Sequence, residues 1–266
     1  MAIIKDKFPI LEYDTSRNAI IEPNRHGKNN FPENCMMTFF GDVLESYLKK
    51  SNSEEIGEYK SEMRIFPVWK VKYNDLEICL IQAVVASGSI AMMTDFLIGG
   101  GVKKLIVCGA CGVLVDIPSG VVILPISALR DEGASYHYLP PEREILLSEI
   151  PVKAIKTTLE KNNVNFFECK TWTTDGFYRE TIDMVNYRKE EGCSVVEMEC
   201  AAIAAVSEFR NILFGQLLYS GDIVIEDKEY DERNWYNNLT AREKLFHLSL
   251  QSLYELNKMT ISMGKI

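Results

Sequence analysis

Apolar residues along the chain recur with two spacings, one typical of buried strands and one typical of helices. Runs in which they alternate or stand together predict strands at 65–72, 76–86, 104–107, 120–126, 166–173 and 212–219. Apolar residues at helical spacing predict helices at 90–98, 152–162, 201–209 and 239–258. Because strands and helices alternate, the pattern indicates the α/β fold class.

Composition narrows the classes of function. The 266 residues are 47% hydrophobic, enough for one large core in a single domain. The formal net charge of -9 argues against a nucleic-acid surface, which needs clustered basic residues. The chain shows neither an apolar run of membrane-spanning length nor, at residues 1–7, the apolar core of a signal peptide. Seven cysteines without even spacing suit a reducing compartment. A cytoplasmic protein with a small-molecule substrate is expected.

Three carboxylates fall where predicted strands end. A buried strand ends at Val196, so Glu197 and Glu199 lie at the junction with the following helix, and Asp222 lies just past the end of the 212–219 strand. Ligands of open α/β sheets collect at such ends, and an ionised carboxylate accepts two hydrogen bonds from a vicinal diol. The alternative is that Glu199 caps the helix and Asp222 caps a turn.

Three other segments carry weaker signals. Residues 108–111 have Cys-x-x-Cys spacing without a second Cys or His pair, so packing at a strand end is favoured over metal or redox chemistry. Residues 25–28 lack the preceding glycines of a phosphate loop and indicate a surface loop. The charged run 226–233 is either a solvated loop or a lid, because it follows Asp222 and precedes Trp235.

Four segments, in the same order along the chain, resemble the nucleoside phosphorylase superfamily, which contains purine nucleoside phosphorylases, uridine phosphorylases and related nucleosidases. They are residues 101–112, 129–138, 173–178 and 195–202. The resemblance implies a single domain over 1–266, with a divergent N-terminal segment at 1–60. The implied fold is a three-layer α/β/α sandwich with a mixed, partly barrel-like central sheet, and the implied assembly is a dimer-based homo-oligomer, expected to be a hexamer.

The resemblance also implies roles for individual residues. Glu199 would hold the ribose hydroxyls, Met198 would pack against the sugar, and Glu197 would shape the pocket. Asp222 would protonate the departing base, as in purine-type members. Phe177 would lie against the base. In uridine-type members a Gln and an Arg follow this aromatic residue, and here Arg179 stands as their substitute.

The chain departs from the family at the positions where family members bind phosphate. The Gly-Asp-Pro-x-Arg motif has no counterpart in 30–40, and the Arg-Val-Gly-Ser/Thr segment reads Val107-Cys108-Gly109-Ala110. Phosphate would therefore rest on the backbone of Gly109 and Ala110 and on replacement cations, of which the candidates are Arg25, Lys28 and Arg130. His26 is a candidate to reach the site of a neighbouring subunit. No metal or organic cofactor is expected.

Three functions stay open at this stage. The first is a nucleoside phosphorylase, a pentosyltransferase of nucleoside salvage that gives free base and pentose 1-phosphate from a purine or pyrimidine nucleoside. The second is a nucleosidase that uses water, because the usual phosphate ligands are missing. The third is a nucleoside-binding protein without turnover, which has little need of the acid at Asp222.

Overall fold

A computed structural model describes residues 3–24, 30–224 and 231–264. Its strands are β1 (Ile3–Ile4), β2 (Tyr13–Asp14), β3 (Asn34–Thr38), β4 (Ser53–Lys60), β5 (Ile65–Tyr73), β6 (Leu76–Gln82), β7 (Lys104–Val113), β8 (Val122–Asp131), β9 (Glu144–Leu146), β10 (Phe166–Thr174), β11 (Cys193–Glu197) and β12 (Leu213–Ile223). Its α-helices are α1 (Gly41–Lys50), α2 (Ser87–Gly99), α3 (Glu149–Lys161), α4 (Ile182–Glu190), α5 (Cys200–Arg210) and α6 (Leu239–Ser262).

Ten strands form one mixed central sheet. Its order is β11-β10-β8-β12-β7-β3-β6-β5-β4, and β9 pairs with β8. A further antiparallel pairing joins β11 to β7 through Val195–Val113 and Val196–Gly112. This pairing closes β7, β12, β8, β10 and β11 into a ring, and β3 to β6 extend from it as an open sheet. The expected mixed, partly barrel-like sheet is confirmed.

Helices cover both faces of the sheet, each over its own apolar core. On one face α2 and α5 bury residues such as Met93 and Ile203 against the sheet. On the other face α1, α3 and α6 bury residues such as Leu44, Ile155 and Phe246. The Ala-rich sequence of α5 lets this helix lie close to the strands, and every residue from 200 to 207 is buried. The three-layer α/β/α architecture expected from the sequence is confirmed.

The sequence pattern located most elements but shortened several strands. β8 runs to Asp131, well beyond the predicted end at 126, and β7, predicted to begin at 104–107, runs to Val113. Both strands continue because their last residues enter the closed part of the sheet, where neighbours on both sides supply backbone hydrogen bonds. Among the helices of the described residues, none has the length and apolar character needed to cross a bilayer.

Candidate active site

A cavity of about 350 Å³ opens where five strands of the sheet end. Residues from the carboxyl ends of β3, β6, β7, β11 and β12 line it, together with residues that precede α4 and α6. Its walls contain Phe39, Phe40, Gln82, Ala83, Val85, Ala110, Cys111, Gly112, Phe177, Glu180, Val196, Glu197, Met198, Glu199, Leu218, Asp222, Tyr236 and Arg242. The predicted Glu197, Met198, Glu199, Asp222 and Phe177 therefore share one cavity of nucleoside size.

A larger cavity, of about 780 Å³, lies beneath the N-terminal segment. Ser87, Asp175 and residues of 10–21 line it, and neither Glu199 nor Asp222 is part of its wall. The smaller cavity is the better candidate for the active site, because it combines an apolar lining with several convergent carboxylates.

Glu197 is a buried carboxylate whose two oxygens are fully engaged by the protein. One oxygen accepts hydrogen bonds from the hydroxyls of Thr173 at 2.6 Å and Thr171 at 3.3 Å. The other accepts from the backbone N–H groups of Glu199 at 2.8 Å and Cys200 at 2.7 Å, at the start of α5. Burial raises the pKa of Glu197, and these hydrogen bonds oppose the rise. Glu197 therefore shapes the strand-to-helix junction that presents Glu199.

Glu199 lines the cavity, and the backbone N–H groups of Ala86 and Met198 donate to its carboxylate. Its Oε1 accepts a hydrogen bond from the backbone N–H of Ala86 at 2.7 Å. Burial, and secondarily the negative charge of Glu197, raise the pKa of Glu199 to about 8. A diol that donates hydrogen bonds to this carboxylate stabilises its ionised form, so substrate binding and deprotonation of Glu199 favour each other.

Ala86 holds its hydrogen bond to Glu199 in an unusual backbone conformation. Its φ of 77° lies in the region that favours glycine, and its ψ is 147°. The next residue begins α2, so the strained position is the turn between β6 and that helix. Backbone strain of this kind costs on the order of 1–3 kcal/mol and persists only where the surroundings enforce it.

Replacing Ala86 with glycine is expected to relieve this strain. We expect Ala86→Gly to raise the free energy of unfolding by about 1 kcal/mol, because glycine adopts positive φ without a Cβ clash. The matched control is Ala204→Gly in the middle of α5, which should lose about 1 kcal/mol. Urea unfolding of both variants measures the two changes. A loss of stability in Ala86→Gly equal to that of the control would contradict the strain.

Asp222 lies inside β12, not just past its end as the sequence indicated. The pairing of β12 with β7 shifts between Ser220, which faces Cys111, and Ile223, which faces Val113. Gly221 and Asp222 thus stand opposite the single residue Gly112, as in a β-bulge. The bulge redirects the side chain, and Asp222 is part of the cavity wall, half-buried.

Apolar side chains complete the walls around these carboxylates. Phe177 begins a 3-10 turn, Phe177–Arg179, and this residue is 47% exposed at the cavity wall. Met198 lies between the two glutamates and is half-buried. Arg179 is exposed on the same turn and lies outside the wall.

The region that resembles the phosphate segment is covered by an aromatic ring. A Cβ atom on Gly109 would lie 2.8 Å from Cδ2 of Phe39, so the Phe39 ring lies directly over the Gly109 backbone. Ala110 faces the cavity, whereas Gly109 is outside its wall. β3 is followed by the segment 41–45, which keeps the Gly-Asp of the phosphate motif and has Glu45 where its arginine stands. The prediction that this motif has no counterpart is corrected accordingly.

Arg130, one of the proposed replacement cations, is not part of the cavity wall. The buried Arg130 guanidinium donates to Ser135 Oγ at 2.9 Å and to the carbonyls of Pro140 at 2.8 Å and Leu139 at 3.3 Å, outside the wall. Arg25, Lys28 and His26 lie outside the described residues.

One basic side chain that the sequence did not indicate lines the cavity. Arg242, in the first turn of α6, donates to Asp42 Oδ2 at 2.9 Å and to the carbonyl of Tyr236 at 2.9 Å, and its other terminal nitrogen bonds Asp42 Oδ1. Asp42 therefore neutralises much of its charge. In the described part of the chain, no group of three His, Cys, Asp or Glu residues is arranged to hold a metal.

The two thiols of the Cys-x-x-Cys segment are buried in β7. Cys108 donates to Thr38 Oγ1, and Cys111 to the carbonyl of Tyr219. Burial raises the pKa of Cys108 to about 11 and also raises that of Cys111, so neither thiol is poised to react.

The charged run after Asp222 is described only from Asp231, and Tyr236 beyond it reaches the cavity wall.

Comparison with known proteins agrees with the fold. A family model described as "Phosphorylase superfamily" matches residues 35–252. The chain is similar to the guanosine phosphorylase of Halorubrum lacusprofundi, with 21% identity over 161 residues that are 60% of this chain and 67% of that protein.

Two solved structures share the fold. The AMP nucleosidase of Bacteroides thetaiotaomicron has 22% identity and a TM-score of 0.71, over 89% of this chain and 93% of that one. The purine nucleoside phosphorylase of Toxoplasma gondii has 18% identity and a TM-score of 0.74, over 91% of this chain and 98% of that one. At such identities these likenesses define the architecture, which both phosphorylases and a nucleosidase use.

Proposed function

Because this chain belongs to the phosphorylase superfamily, we propose that its cavity cleaves the N-glycosidic bond of a nucleoside, with water as the acceptor of the sugar. The superfamily assignment supports cleavage of a glycosidic bond, and the residues around the cavity support the choice of water. A purine nucleoside is the first candidate substrate, since Asp222 is the acid that the resemblance assigns to purine-type members.

The carboxylates of the cavity match the charges that develop during such a cleavage. As the C–N bond breaks, the sugar gains positive character and the base gains negative charge. Glu199, in the cavity wall, accepts hydrogen bonds from the sugar hydroxyls and stabilises the positive sugar. Asp222, across the cavity on β12, delivers a proton to the departing base.

The single observation that carries the choice of water is the position of Phe39. Its ring covers Gly109 in the segment that resembles the phosphate-gripping one, and no hydroxyl side chain stands at 109 or 110. The cavity wall holds four carboxylates, Glu180, Glu197, Glu199 and Asp222. Its one basic side chain in the described part of the chain is Arg242, already paired with Asp42. Among the described residues, such a wall offers a phosphate dianion no basic side chain that is not already paired, and it admits water.

Phosphorolysis is the second candidate, and one observation favours it. Arg242 is buried, lines the cavity and presents a guanidinium in the place where an anion could be held. If phosphate displaces Asp42 from Arg242, the same cavity would yield pentose 1-phosphate.

The rate of base release with and without inorganic phosphate tests this proposal. A panel of purine and pyrimidine nucleosides would be incubated with the wild type at 0 and 50 mM phosphate, at constant ionic strength. We expect the rate to change less than twofold. Release of base that requires phosphate would overturn the choice of water and establish the second candidate.

Two further expectations from the sequence belong to this proposal. The dimer-based homo-oligomer, expected to be a hexamer, and the cytoplasmic location stay predictions. Sedimentation of the purified protein would measure the first directly.

A further inference from the structure

A fourth carboxyl group lines the cavity that contains Asp222. Glu180 is half-buried, lies directly after the Phe177–Arg179 turn and lines the same wall as Asp222. Its position is fixed from both sides, because Arg179 N–H donates to Gly176 O and the Thr181 hydroxyl caps α4 by accepting from Met184 N–H. The functional roles proposed above leave Glu180 unused.

Glu180 and Asp222 influence each other electrostatically across the cavity. Burial, and after it the charge of Asp222, raise the pKa of Glu180 to about 7. Among the described residues, the other titratable or charged side chains of this wall are Glu197, Glu199, Cys111, Tyr236 and Arg242. Four of the five are acidic, and Arg242 is paired with Asp42. Two neighbouring carboxyls in such a setting do not both ionise readily at neutral pH.

We propose that Glu180 and Asp222 act as one acid, a carboxyl pair that holds a single proton and delivers it to the departing base. This inference rests on the proposed function. When the bond between the sugar carbon and the base nitrogen breaks, its electron pair stays on the nitrogen and the proton of the pair moves to the base. Water adds to the sugar carbon, its surplus proton passes to solvent, and the pair takes up a proton from solvent for the next turnover.

A pair of carboxyls retains a proton at neutral pH better than a single carboxyl with an unshifted pKa does. An isolated aspartate has an ordinary pKa of about 4 and holds little proton at neutral pH. Burial and, after it, the neighbouring charge of Asp222 raise the pKa of Glu180, so the pair keeps a proton up to about pH 7. Base release should then fall with increasing pH once the pair loses its last proton.

The pH profile of kcat in Glu180→Gln tests the pair. In the wild type, kcat should fall about tenfold per pH unit above a midpoint near 7, as expected for loss of one essential proton. Glu180→Gln removes the neighbouring charge, so its midpoint should move down by about one pH unit or more, with kcat lowered roughly 10- to 100-fold at pH 7.5. Glu180→Asp, which retains a carboxyl, should keep part of the wild-type midpoint. Glu190→Gln, at an exposed position on α4, is the matched control and should change neither.

A structural role of Glu180 gives a different result. If the side chain only supports the turn at Phe177, Glu180→Gln would raise KM or lower kcat by the same factor at every pH, and the midpoint would stay in place. That outcome overturns the pair and leaves the proposed function intact.

A titration that needs no turnover separates this inference from the proposed function. Carbon-13 NMR of the glutamate carboxyls should show Glu180 titrating near pH 7 in the wild type and at least one pH unit lower in Asp222→Asn. If the wild type releases no base from any nucleoside, the proposed function is contradicted. The titration would still test the carboxyl pair, because it needs no turnover. A Glu180 carboxyl that titrates at its ordinary value in both proteins overturns the pair.

Discussion

The Asp222→Asn variant is expected to release base about a hundred to ten thousand times more slowly than the wild type, the range that loss of a general acid usually costs. Asparagine has nearly the same shape and still forms hydrogen bonds, so the bulge in β12 and the binding of nucleoside should persist. The loss should therefore appear in kcat, with KM and the Kd of a bound nucleoside changed by less than about threefold.

The leaving group gives this prediction a sharper form. A riboside whose leaving group departs without protonation, such as a p-nitrophenyl riboside, needs no acid, so Asp222→Asn should cleave it at nearly the wild-type rate. Asp75→Asn, at an exposed turn between β5 and β6, is the matched control and should behave as the wild type. Equal losses on both substrates would exclude Asp222 as the acid.

The Glu199→Gln variant is expected to lose about 10- to 100-fold in affinity for ribosides, because a charge-assisted hydrogen bond contributes roughly 1.5–3 kcal/mol. Affinity for the free base should stay unchanged, since Glu199 is proposed to contact the sugar. Calorimetric titration with a riboside, its 2′-deoxy form and the base measures the three values. In Glu199→Gln, affinity for the deoxyriboside should fall less than affinity for the riboside. The matched control Glu208→Gln, at an exposed position on α5, should keep the wild-type affinities. Equal losses for riboside and base would contradict the diol contact.

Because the pKa of Glu199 is raised, riboside binding by the wild type should depend on pH, and this variant should lose the dependence. In the wild type the ionised form binds the diol, so riboside affinity should increase as pH rises toward about 8, and Glu199→Gln should lose that dependence. The free energy of unfolding of the wild type should instead decrease as pH rises. A carboxyl whose folded pKa is raised stabilises the fold fully below its unfolded pKa, and the contribution is lost as pH rises through the folded pKa. Glu199→Gln should therefore gain stability over the wild type at pH 9 by on the order of 1 kcal/mol or more, measured by urea unfolding.

Local patterns explain why the sequence located part of this site. Glu197, Met198 and Glu199 follow the buried Val195 and Val196, and apolar runs of this kind mark strand ends without knowledge of the partners. The same reasoning placed Asp222 at the cavity. It placed the residue past the strand, because the bulge depends on the register between β12 and β7, which single-strand periodicity does not contain.

The residues that sequence reasoning missed reach the cavity through long-range packing. Glu180 and Arg242 belong to elements that follow β10 and β12, and only the closed sheet brings them to one wall. Arg242 could have been suspected from its place in the first turn of an amphipathic helix, where a basic residue opposes the helix dipole and needs a partner. Its partner Asp42 lies 200 positions away along the chain.

Phe39 shows a third reason why the sequence alone did not predict the whole site. An aromatic residue at the end of a buried strand usually fills a core, and nothing in its local pattern indicates that it covers Gly109 of a different strand. The missing arginine and hydroxyl at 107–110 were visible in the sequence, whereas the ring that occupies their region became visible only in the fold.

Identification of the sugar product decides between water and phosphate most directly. The wild type would be incubated with a cleavable nucleoside in 50 mM phosphate, and the sugar would be separated by anion-exchange chromatography. Hydrolysis in this cavity predicts free ribose as the product even at this phosphate concentration. Ribose 1-phosphate in amounts equal to the released base would contradict it and would mean that an anion site forms around Arg242.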